Sequence, residues 1–444
     1  MRLWIKDPLA ILANGAARGL VVENGRIAEL VAAQPAAPVD AVFEAGRHVV
    51  LPGLINTHHH FYQTLTRACP AALDKKLFPW LTALYPLWAG LDDEAFATAS
   101  QVAMVELLLS GCATAADHHY VFPAGLHDPI DVQVETARAL GLRVVLTRGS
   151  MNLSRKDGGL PPDSVVQDED VILADSERLV GRYHQAGAGA MTQIALAPCS
   201  PFSVTGSLMR QTAALADRLG VRLHTHLAET EDENAFCLER FGCRPLDYLE
   251  ECGWLNERTW LAHGIHFTEH EIARLGRAGA GIAHCPSSNQ VLASGICPVL
   301  RLEEAGSPVG LGVDGSASAD SSNLIAEARA AFLLQRLANG ADRFGHRDAL
   351  RLATEGSARC LGRPDLGVIE PGRCADLALF TLDEPRFAGA GDPLAALILC
   401  GAQKADRVMV AGRWVVEDGA VPGLDLAALL ARHQGNARRV MGLG

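Results

Sequence analysis

The stretch Leu51-Pro52-Gly53-Leu54-Ile55-Asn56-Thr57-His58-His59-His60 decides the fold of this 444-residue chain. A short apolar run after a Pro-Gly turn predicts a buried β-strand, and three histidines stand where that strand ends. Because side chains alternate between the faces of a strand, His58 and His60 point to one side and His59 to the other. Two imidazoles on one face can bind the same metal ion. A histidine-rich loop or a tag remnant is the alternative, but a tag lies at a terminus.

Size and composition narrow the class of protein. The hydrophobic share of 49% and the charged share of 20% are typical of a well-packed globular chain, long enough for one large domain with an appendage. The net charge of −12 disfavours nucleic acid and anionic membranes as partners. Eleven cysteines without a C-x-x-C pair favour a reducing compartment. With no signal-peptide pattern and no apolar run near the roughly 18 residues of a membrane span, we expect a cytoplasmic protein.

Both ends of the chain have the pattern of short strands separated by turns. Residues 19–22 and 26–31 flank Asn24-Gly25, a dipeptide typical of a β-hairpin turn. Similar apolar runs return at 376–380 and 407–416. We expect these segments to form one small β-sandwich domain from both termini, over residues 1–52 and 365–425, followed by a C-terminal helix over 426–444.

From residue 53 to about 340, within a barrel domain that we expect to span 53–364, short apolar runs alternate with amphipathic helical stretches, which indicates repeated βα units. The runs lie at 54–58, 113–117, 143–148, 193–198, 221–226, 259–263, 281–286 and 308–314. The helical candidates include 93–109, 131–140, 170–185, 207–219 and 268–278. Eight units in about 290 residues predict an α/β fold of the (β/α)8 TIM-like barrel type. A doubly wound open sheet is the alternative, but only a barrel brings all the strand ends to one mouth.

Polar side chains close several of the later strands. His226 ends the fifth run, and Glu229 follows it at the distance where a carboxylate beside a metal site can carry a proton. His224 shares the face of His226 one layer deeper, which favours a packed barrel histidine over a ligand. His263 closes the sixth run, where a lone histidine is structural as often as catalytic. Asp314 closes the eighth, where burial of a carboxylate requires a cation or hydrogen-bond donors.

The positions of the lysines limit the number of metal ions. The chain has only Lys6, Lys75, Lys76, Lys156 and Lys404, and none lies in a predicted barrel strand. A two-metal hydrolase bridged by a carboxylated strand lysine therefore cannot be built. We expect one metal ion.

Taken together, these motifs resemble those of the amidohydrolase superfamily, in its single-metal branch of purine and triazine deaminases. The resemblance covers nearly the whole chain and is carried by Pro52-Gly53, His58-x-His60, His226-x-x-Glu229, His263, Asp314 and residues 370–377. It implies that one divalent ion, zinc or alternatively iron, is bound by four ligands, namely His58, His60, His226 and Asp314. It also implies that Glu229, His263 and Asp314 are the catalytic residues of a hydrolytic deamination.

Within that branch the likeness is greatest to deaminases of oxidised guanine. Residues 58–67, 156–164 and 312–318 carry it, and it implies conversion of 8-oxoguanine to urate and ammonia. Hydroxytriazine ethylaminohydrolases share much of these segments, and deamination of plain guanine is a further alternative. A catalytically silent binding protein is disfavoured by the intact Glu229 and His263. A metal-dependent barrel isomerase is disfavoured because a phosphate-cradling Gly-rich loop is absent from the sequence.

Candidates for substrate binding lie in the loops after the early strands. Gln63 and Arg67 can present an amide and a guanidinium to purine carbonyls, unless they only form a surface turn. His118 and Tyr120 follow the second strand. Trp80 can stack on a flat ring or pack in the core. It lies in the long connection 61–91, which, like 150–168, we expect to form a lid or a specificity wall.

The remaining predictions concern the seventh strand and the partners of the chain. Asn289 follows that strand, either to contact the ligand or to cap the next helix. We expect the partner to be a small heterocyclic substrate, with neither nucleic acid nor membrane, and we expect the chain to form a homo-oligomer.

Overall fold

Pro52 and Gly53 mark the point where a β-sandwich gives way to a barrel in the computed structural model, which describes residues 1–443. The Gly53 N–H donates to the carbonyl of Asp376 over 2.8 Å. A Cβ at Gly53 would lie 2.4 Å from the Cβ of Ala113, so glycine is what allows this close approach of the connection to the barrel.

The first 52 residues form short strands, as their alternating pattern predicts. These strands are β1 (Arg2–Lys6), β2 (Ala10–Ile11), β3 (Gly19–Glu23), β4 (Arg26–Leu30), β5 (Ala41–Glu44) and β6 (His48–Pro52). Asn24 and Gly25 have φ of +50° and +75°, the left-handed conformations that a two-residue turn of type I′ requires. The predicted hairpin is confirmed, because β3 and β4 pair antiparallel across that turn.

Eight parallel strands form the barrel in the order of the sequence. They are β7 (Leu54–Asn56), β8 (Cys112–His119), β9 (Arg143–Ser150), β10 (Thr192–Pro198), β11 (Leu223–Leu227), β12 (Thr259–His263), β13 (Gly281–His284) and β14 (Val309–Leu311). The last strand returns to the first, since the Thr57 N–H donates to the Leu311 carbonyl (2.8 Å) and the Asp314 N–H to the His58 carbonyl (3.0 Å). The predicted barrel is confirmed, and each predicted run overlaps one of these strands.

Helices surround the barrel and fill its connections. They are α1 (Leu77–Trp88), α2 (Asp93–Leu109), α3 (Pro129–Leu140), α4 (Glu169–Tyr183), α5 (Gly206–Leu219), α6 (Glu231–Phe241), α7 (Pro245–Glu251), α8 (Glu269–Ala278), α9 (Pro286–Val291), α10 (Val299–Ala305), α11 (Leu324–Asn339), α12 (His346–Arg351), α13 (Ser357–Cys360), α14 (Pro393–Ala396) and α15 (Leu426–Met441). Short 3₁₀ turns lie at Phe61–Thr66, Arg155–Asp157, Asp163–Val165 and Pro385–Phe387, and π-helical turns at Leu352–Gly356 and Leu397–Gly401. Within residues 1–443, no helix has the length and apolar character needed to cross a membrane.

Three strands near the carboxyl terminus complete the sandwich, namely β15 (Leu377–Thr381), β16 (Arg407–Val410) and β17 (Arg413–Val416). One sheet has the order β4-β3-β1-β5 and the other β17-β16-β15-β6-β2. Their facing apolar side chains, such as Ile5, Leu20, Val50 and Leu379, form a core separate from that of the barrel. A sandwich built from both termini is therefore confirmed, while the domain limits of 1–52 with 365–425 and of 53–364 stay predictions.

A buried ion pair joins the sandwich to the barrel. The guanidinium of Arg143, at the start of β9, donates from Nε and Nη2 to the two carboxylate oxygens of Asp376 over 2.9 and 3.0 Å. Arg143 is completely shielded from solvent, and Asp376 directly precedes β15. The fork geometry fixes the relative position of the two strands.

Candidate active site

Four buried side chains converge at the carboxyl ends of β7, β11 and β14. The Nε2 atom of His60 lies 3.1 Å from Nε2 of His226 and 3.3 Å from Oδ1 of Asp314. Nε2 of His58 lies 3.2 Å from the same carboxylate oxygen. Ligands of one tetrahedral zinc-sized ion, with bonds of about 2.0–2.1 Å, are separated by about 3.3 Å. The cluster therefore has the dimensions of a metal site.

The tautomers of His60 and His226 follow from their outer hydrogen bonds. Nδ1 of His60 lies 2.6 Å from the carbonyl of His118, and Nδ1 of His226 lies 2.7 Å from the carbonyl of Cys199. Since a carbonyl only accepts, each Nδ1 carries the proton and donates it. Burial lowers the pKa of both rings, that of His226 to about 3. Both rings are neutral, and each Nε2 directs a lone pair at the cluster.

The tautomer of His58, with its proton on Nδ1, is set by a second histidine, His224. Nδ1 of His224 lies 2.8 Å from the carbonyl of Trp260 and must donate to it. Burial holds the pKa of His224 well below its usual range, so its Nε2 is an acceptor, and Nδ1 of His58 donates to it over 2.8 Å. Nε2 of His58 is left with a lone pair and has no hydrogen-bond partner among the described residues. His224 itself stacks on Trp260, one layer below the cluster.

These tautomers bring three nitrogen lone pairs and one carboxylate to a single point. Burial alone would raise the pKa of Asp314, but the neighbouring histidines hold it well below its usual range, so the carboxylate is ionised. Within residues 1–443, four acceptors thus face one another without a proton between them, an arrangement that a cation stabilises. The donor set of three imidazoles and one carboxylate fits a single divalent ion.

Two further titratable groups stand at the edge of the cluster. Nε2 of His263 lies 3.5 Å from Oε2 of Glu229 and 3.8 Å from Oδ2 of Asp314, and its Nδ1 donates to Oδ1 of Asn289 over 3.0 Å. Burial raises the pKa of Glu229 to about 7. Burial alone would lower the pKa of His263, but the two carboxylates raise it above its ordinary value. Glu229 can therefore exchange a proton near neutral pH, and the two carboxylates favour the protonated form of His263.

The backbone is strained at three of the strand ends that form the site. Ala228, His263 and Asp314 have φ of +55°, +73° and +62°, in the left-handed region that residues with a Cβ rarely adopt. Such conformations persist where the surrounding structure holds them, and they concentrate at functional sites. Here they turn the chain so that side chains beyond the strand face the barrel mouth.

A small, partly open cavity adjoins the cluster. Three predicted substrate-binding residues, Gln63, Trp80 and Tyr120, line it together with residues of the cluster and its edge, namely His60, His226, Glu229, His263 and Asp314. Oε1 of Gln63 would lie 1.9 Å from a Cβ at position 315, so Gly315 makes room for the amide. The other walls are largely apolar, from Leu77, Leu81, Tyr85, Cys199, Phe202 and Leu292.

Arg67 and His118 do not appear among the described residues that line the cavity. The Arg67 guanidinium pairs with Glu106 and donates to Oγ of Ser316 over 3.2 Å, so it ties the first loop to the last. His118 stacks on His226 at a centroid distance of 4.8 Å, behind the metal site. The structure thus places both side chains in supporting contacts and not against the space where a ring would bind.

Several residues that line the cavity were not among the predicted site residues. Tyr85 shares one face of α1 with Leu77 and Leu81, and the helical spacing of these residues is the signal that would have found them. Cys199 directly follows β10 and Phe202 lies three residues further on, where strand ends meet the mouth. The expected lid or wall at 61–91 is thus a wall built largely by α1, whereas 150–168 contributes no residue to the described lining.

Comparison with known proteins agrees with this geometry. The chain matches the Amidohydrolase family over residues 49–415 and belongs to that family. It is therefore a metal-dependent hydrolase of the amidohydrolase class, as its motifs predict. An 8-oxoguanine deaminase from Pseudomonas aeruginosa is 64% identical to it over 441 residues, with 98% of each chain covered.

More distant relatives act on other rings. The hydroxydechloroatrazine ethylaminohydrolase of Pseudomonas sp. (strain ADP) is 38% identical, with 98% of this chain and 93% of that one covered. The solved structure of the atrazine chlorohydrolase TrzN from Arthrobacter aurescens, complexed with zinc, has a TM-score of 0.92 at 31% identity and covers 98% of this chain and 100% of that one. The predicted resemblance to the purine and triazine branch is confirmed.

Proposed function

We propose that this chain hydrolyses 8-oxoguanine to urate and ammonia, with one zinc ion held by His58, His60, His226 and Asp314. The observation that carries the proposal is the buried cluster of four acceptors with the Glu229 carboxyl at its edge. The substrate is taken from the relative that shares 64% of the sequence over nearly the whole chain.

A zinc ion bound there would supply a water molecule whose pKa is lowered from about 15.7 toward 7. With the ion bound, Oδ2 of Asp314 and Nε2 of His263, which lie 3.8 Å apart, would orient that water and receive its proton. Glu229, whose pKa burial raises to about 7, delivers a proton to the ring nitrogen beside the carbon that bears the amine. This transfer prevents negative charge from building up on the heterocycle as ammonia leaves.

Unpartnered polar atoms in the cavity wall support an oxidised purine as the substrate. Oε1 of Gln63 and the hydroxyl of Tyr85 are buried and have no hydrogen-bond partner within the described chain. Burying such atoms is unfavourable unless a ligand pairs with them. A purine with carbonyl and N–H groups on its edges offers both kinds of partner, while Trp80 and Phe202 line the cavity with aromatic surface.

Hydroxytriazine aminohydrolysis is the second candidate, because a relative with that activity in its name is 38% identical over 453 residues. We propose to compare kcat/KM for 8-oxoguanine, guanine and a hydroxytriazine by ammonia release. The largest value is expected for 8-oxoguanine, and a larger value for the hydroxytriazine would replace the proposed substrate.

The role of Glu229 is tested with Glu229→Gln. We expect turnover to fall by about 10²- to 10⁴-fold, because the amide cannot deliver the proton. Metal analysis should still find about one ion per chain, because Glu229 is not a proposed ligand. His226→Ala is the control that should lose the metal. Near-normal turnover of Glu229→Gln would remove the proton-transfer role.

A further inference from the structure

Glu233 is fully buried in the first turn of α6, although it does not line the cavity and carries no step of the proposed reaction. Its Oε1 accepts the N–H of Ala228 over 3.0 Å, and its Oε2 accepts the N–H of Glu229 over 2.9 Å. Two consecutive peptide N–H groups on the two oxygens of one carboxylate fix that segment in both position and rotation.

These contacts differ from those that the local sequence predicts. Thr230 and Glu233 have the S/T-x-x-E spacing of a capping box, in which the glutamate would accept the N–H of the threonine. Thr230 is the N-cap residue of α6, but it makes no side-chain capping hydrogen bond, and its Oγ1 has no partner within the described chain. Glu233 instead reaches back past the helix start to the segment that leads into Glu229.

The same segment is held from the opposite side. The carbonyl of Ala228 accepts the N–H groups of Ile265 and His266, each over 2.9 Å, from the loop that follows His263. Ala228 has φ of +55°, an unfavourable conformation for a residue with a Cβ. Hydrogen bonds on both sides therefore maintain a strained turn, and that turn sets where the Glu229 side chain begins.

We propose that Glu233 is a positioning residue for Glu229, holding the 228–229 segment so that the Glu229 carboxyl lies beside His263 and the substrate. The inference rests on the proton-transfer role given to Glu229 under the proposed function. A displacement of about 1 Å at a reacting group can cost on the order of 100-fold in rate. The buried carboxylate is thus used to fix a neighbouring group and not to react.

The test is Glu233→Gln, which keeps the shape but turns one acceptor into an amide NH₂ facing a peptide N–H. We expect kcat to fall by about 10- to 100-fold with KM and metal content unchanged. In a Glu229→Gln background, Glu233→Gln should cause no further loss of kcat, because the group it positions is already inactive.

Asp232→Asn is the matched control in the same helical turn, since Asp232 is exposed. Glu233→Asp, which draws the carboxylate back by one methylene, should behave like Glu233→Gln.

A second measurement does not depend on activity. Amide hydrogen exchange of residues 226–230 should be faster in Glu233→Gln than in the wild type or in Asp232→Asn. Unchanged exchange, loss of the metal, or an equal loss of kcat in the wild-type and Glu229→Gln backgrounds would overturn the inference. If the wild-type protein releases no ammonia from any tested ring, the proposed function fails, and the exchange experiment still decides the role of Glu233.

Discussion

His224 shows how a residue outside the acceptor cluster can set the tautomer of a proposed metal ligand. It accepts the Nδ1–H of His58 because its own Nδ1 is committed to the carbonyl of Trp260. The tautomer of His58 is thereby fixed with Nε2 facing the cluster. Outer partners of this kind orient metal ligands and raise their affinity for the ion.

His224→Leu should therefore weaken metal binding. Leucine removes the acceptor and leaves the Nδ1–H of His58 buried without a partner, so we expect about 10- to 100-fold lower zinc affinity in a chelator competition. His224→Gln is the matched variant, since its amide oxygen can accept the same hydrogen. Equal zinc affinity of His224→Leu and the wild-type protein would contradict the role of His224.

The hydroxyl of Tyr85 gives a prediction about substrate binding. It lines the cavity and has no partner inside the described chain, so Tyr85→Phe should not lower the free energy of unfolding. The same substitution should lower kcat/KM for 8-oxoguanine by about tenfold, as expected for one lost hydrogen bond. Tyr248→Phe is the control, because Tyr248 also has a buried hydroxyl without a described partner but is absent from the described cavity lining. An unchanged kcat/KM for Tyr85→Phe would exclude this contact.

The alternation of side chains between the two faces of a strand explains why the sequence predicts which residues meet at the site. His58 and His60 share a face, while His59 points away, where its Nε2 lies 2.8 Å from Oγ of Ser322. This alternation does not show how deeply a side chain is buried or which residue far along the chain it contacts. Arg67 therefore looks available in the sequence, although Glu106 on α2, 39 positions further on, engages its guanidinium.

At the scale of elements, the capping residues at the two ends of a helix decide whether that helix can be predicted from sequence. α2 spans Asp93–Leu109 as expected, because the side chain of Asp92 accepts the N–H of Ala95 and Gly111 follows the helix with φ of +95°. α1 has no side-chain cap and contains Pro86, and its segment therefore reads as a loop in the sequence. The remaining sequence signal is the helical spacing of Leu77, Leu81 and Tyr85, which line the cavity in the folded chain.

A buried carboxyl between two elements makes stability depend on pH. Glu327 of α11 accepts the N–H and hydroxyl of Ser287 at the start of α9, and burial raises its pKa from 4.5 to about 8. Because the folded pKa lies above the unfolded one, this group stabilises the fold fully below pH 4.5, and the contribution is lost as pH rises through 8.

Glu327→Gln should therefore flatten the fall in the free energy of unfolding between pH 5 and pH 8. Urea denaturation at pH 5 and at pH 8 measures this fall, and Glu304→Gln is the control because Glu304 is exposed. An identical fall in Glu327→Gln and the wild type would contradict the prediction.

At the scale of the whole molecule, the Arg143–Asp376 ion pair connects two hydrophobic cores. Arg143→Leu leaves the Asp376 carboxylate buried without its counter-charge, and we expect a loss of about 3–5 kcal/mol in the free energy of unfolding. Replacing both residues with leucine should recover part of that loss, since no charge is then buried without a partner. Arg138→Leu, at an exposed i,i+3 pair with Glu135, is the control and should change stability by less than about 1 kcal/mol. A loss as small for Arg143→Leu as for Arg138→Leu would contradict the prediction.

The overall architecture is predictable because its patterns are local. The alternation of apolar runs and helices gives the barrel, and the strand pattern at both termini gives the sandwich. Strand order within the sandwich is not predictable in this way, since β6 pairs with β15 across more than 300 residues. Such pairings depend on which apolar faces meet and not on the sequence beside each strand.

The return of the last barrel strand to the first has a consequence for how the protein is made. A nascent chain that has emerged as far as residue 300 carries His58, His60 and His226 but neither Asp314 nor β14, whose Leu311 accepts from Thr57. The fourth proposed ligand and the closing hydrogen bonds arrive together, after more than 300 residues of the chain, and contacts between such distant segments form slowly. The proposed set of four ligands is therefore complete only once Asp314 has emerged, after all eight barrel strands, and a chain that stops before that point lacks a complete site.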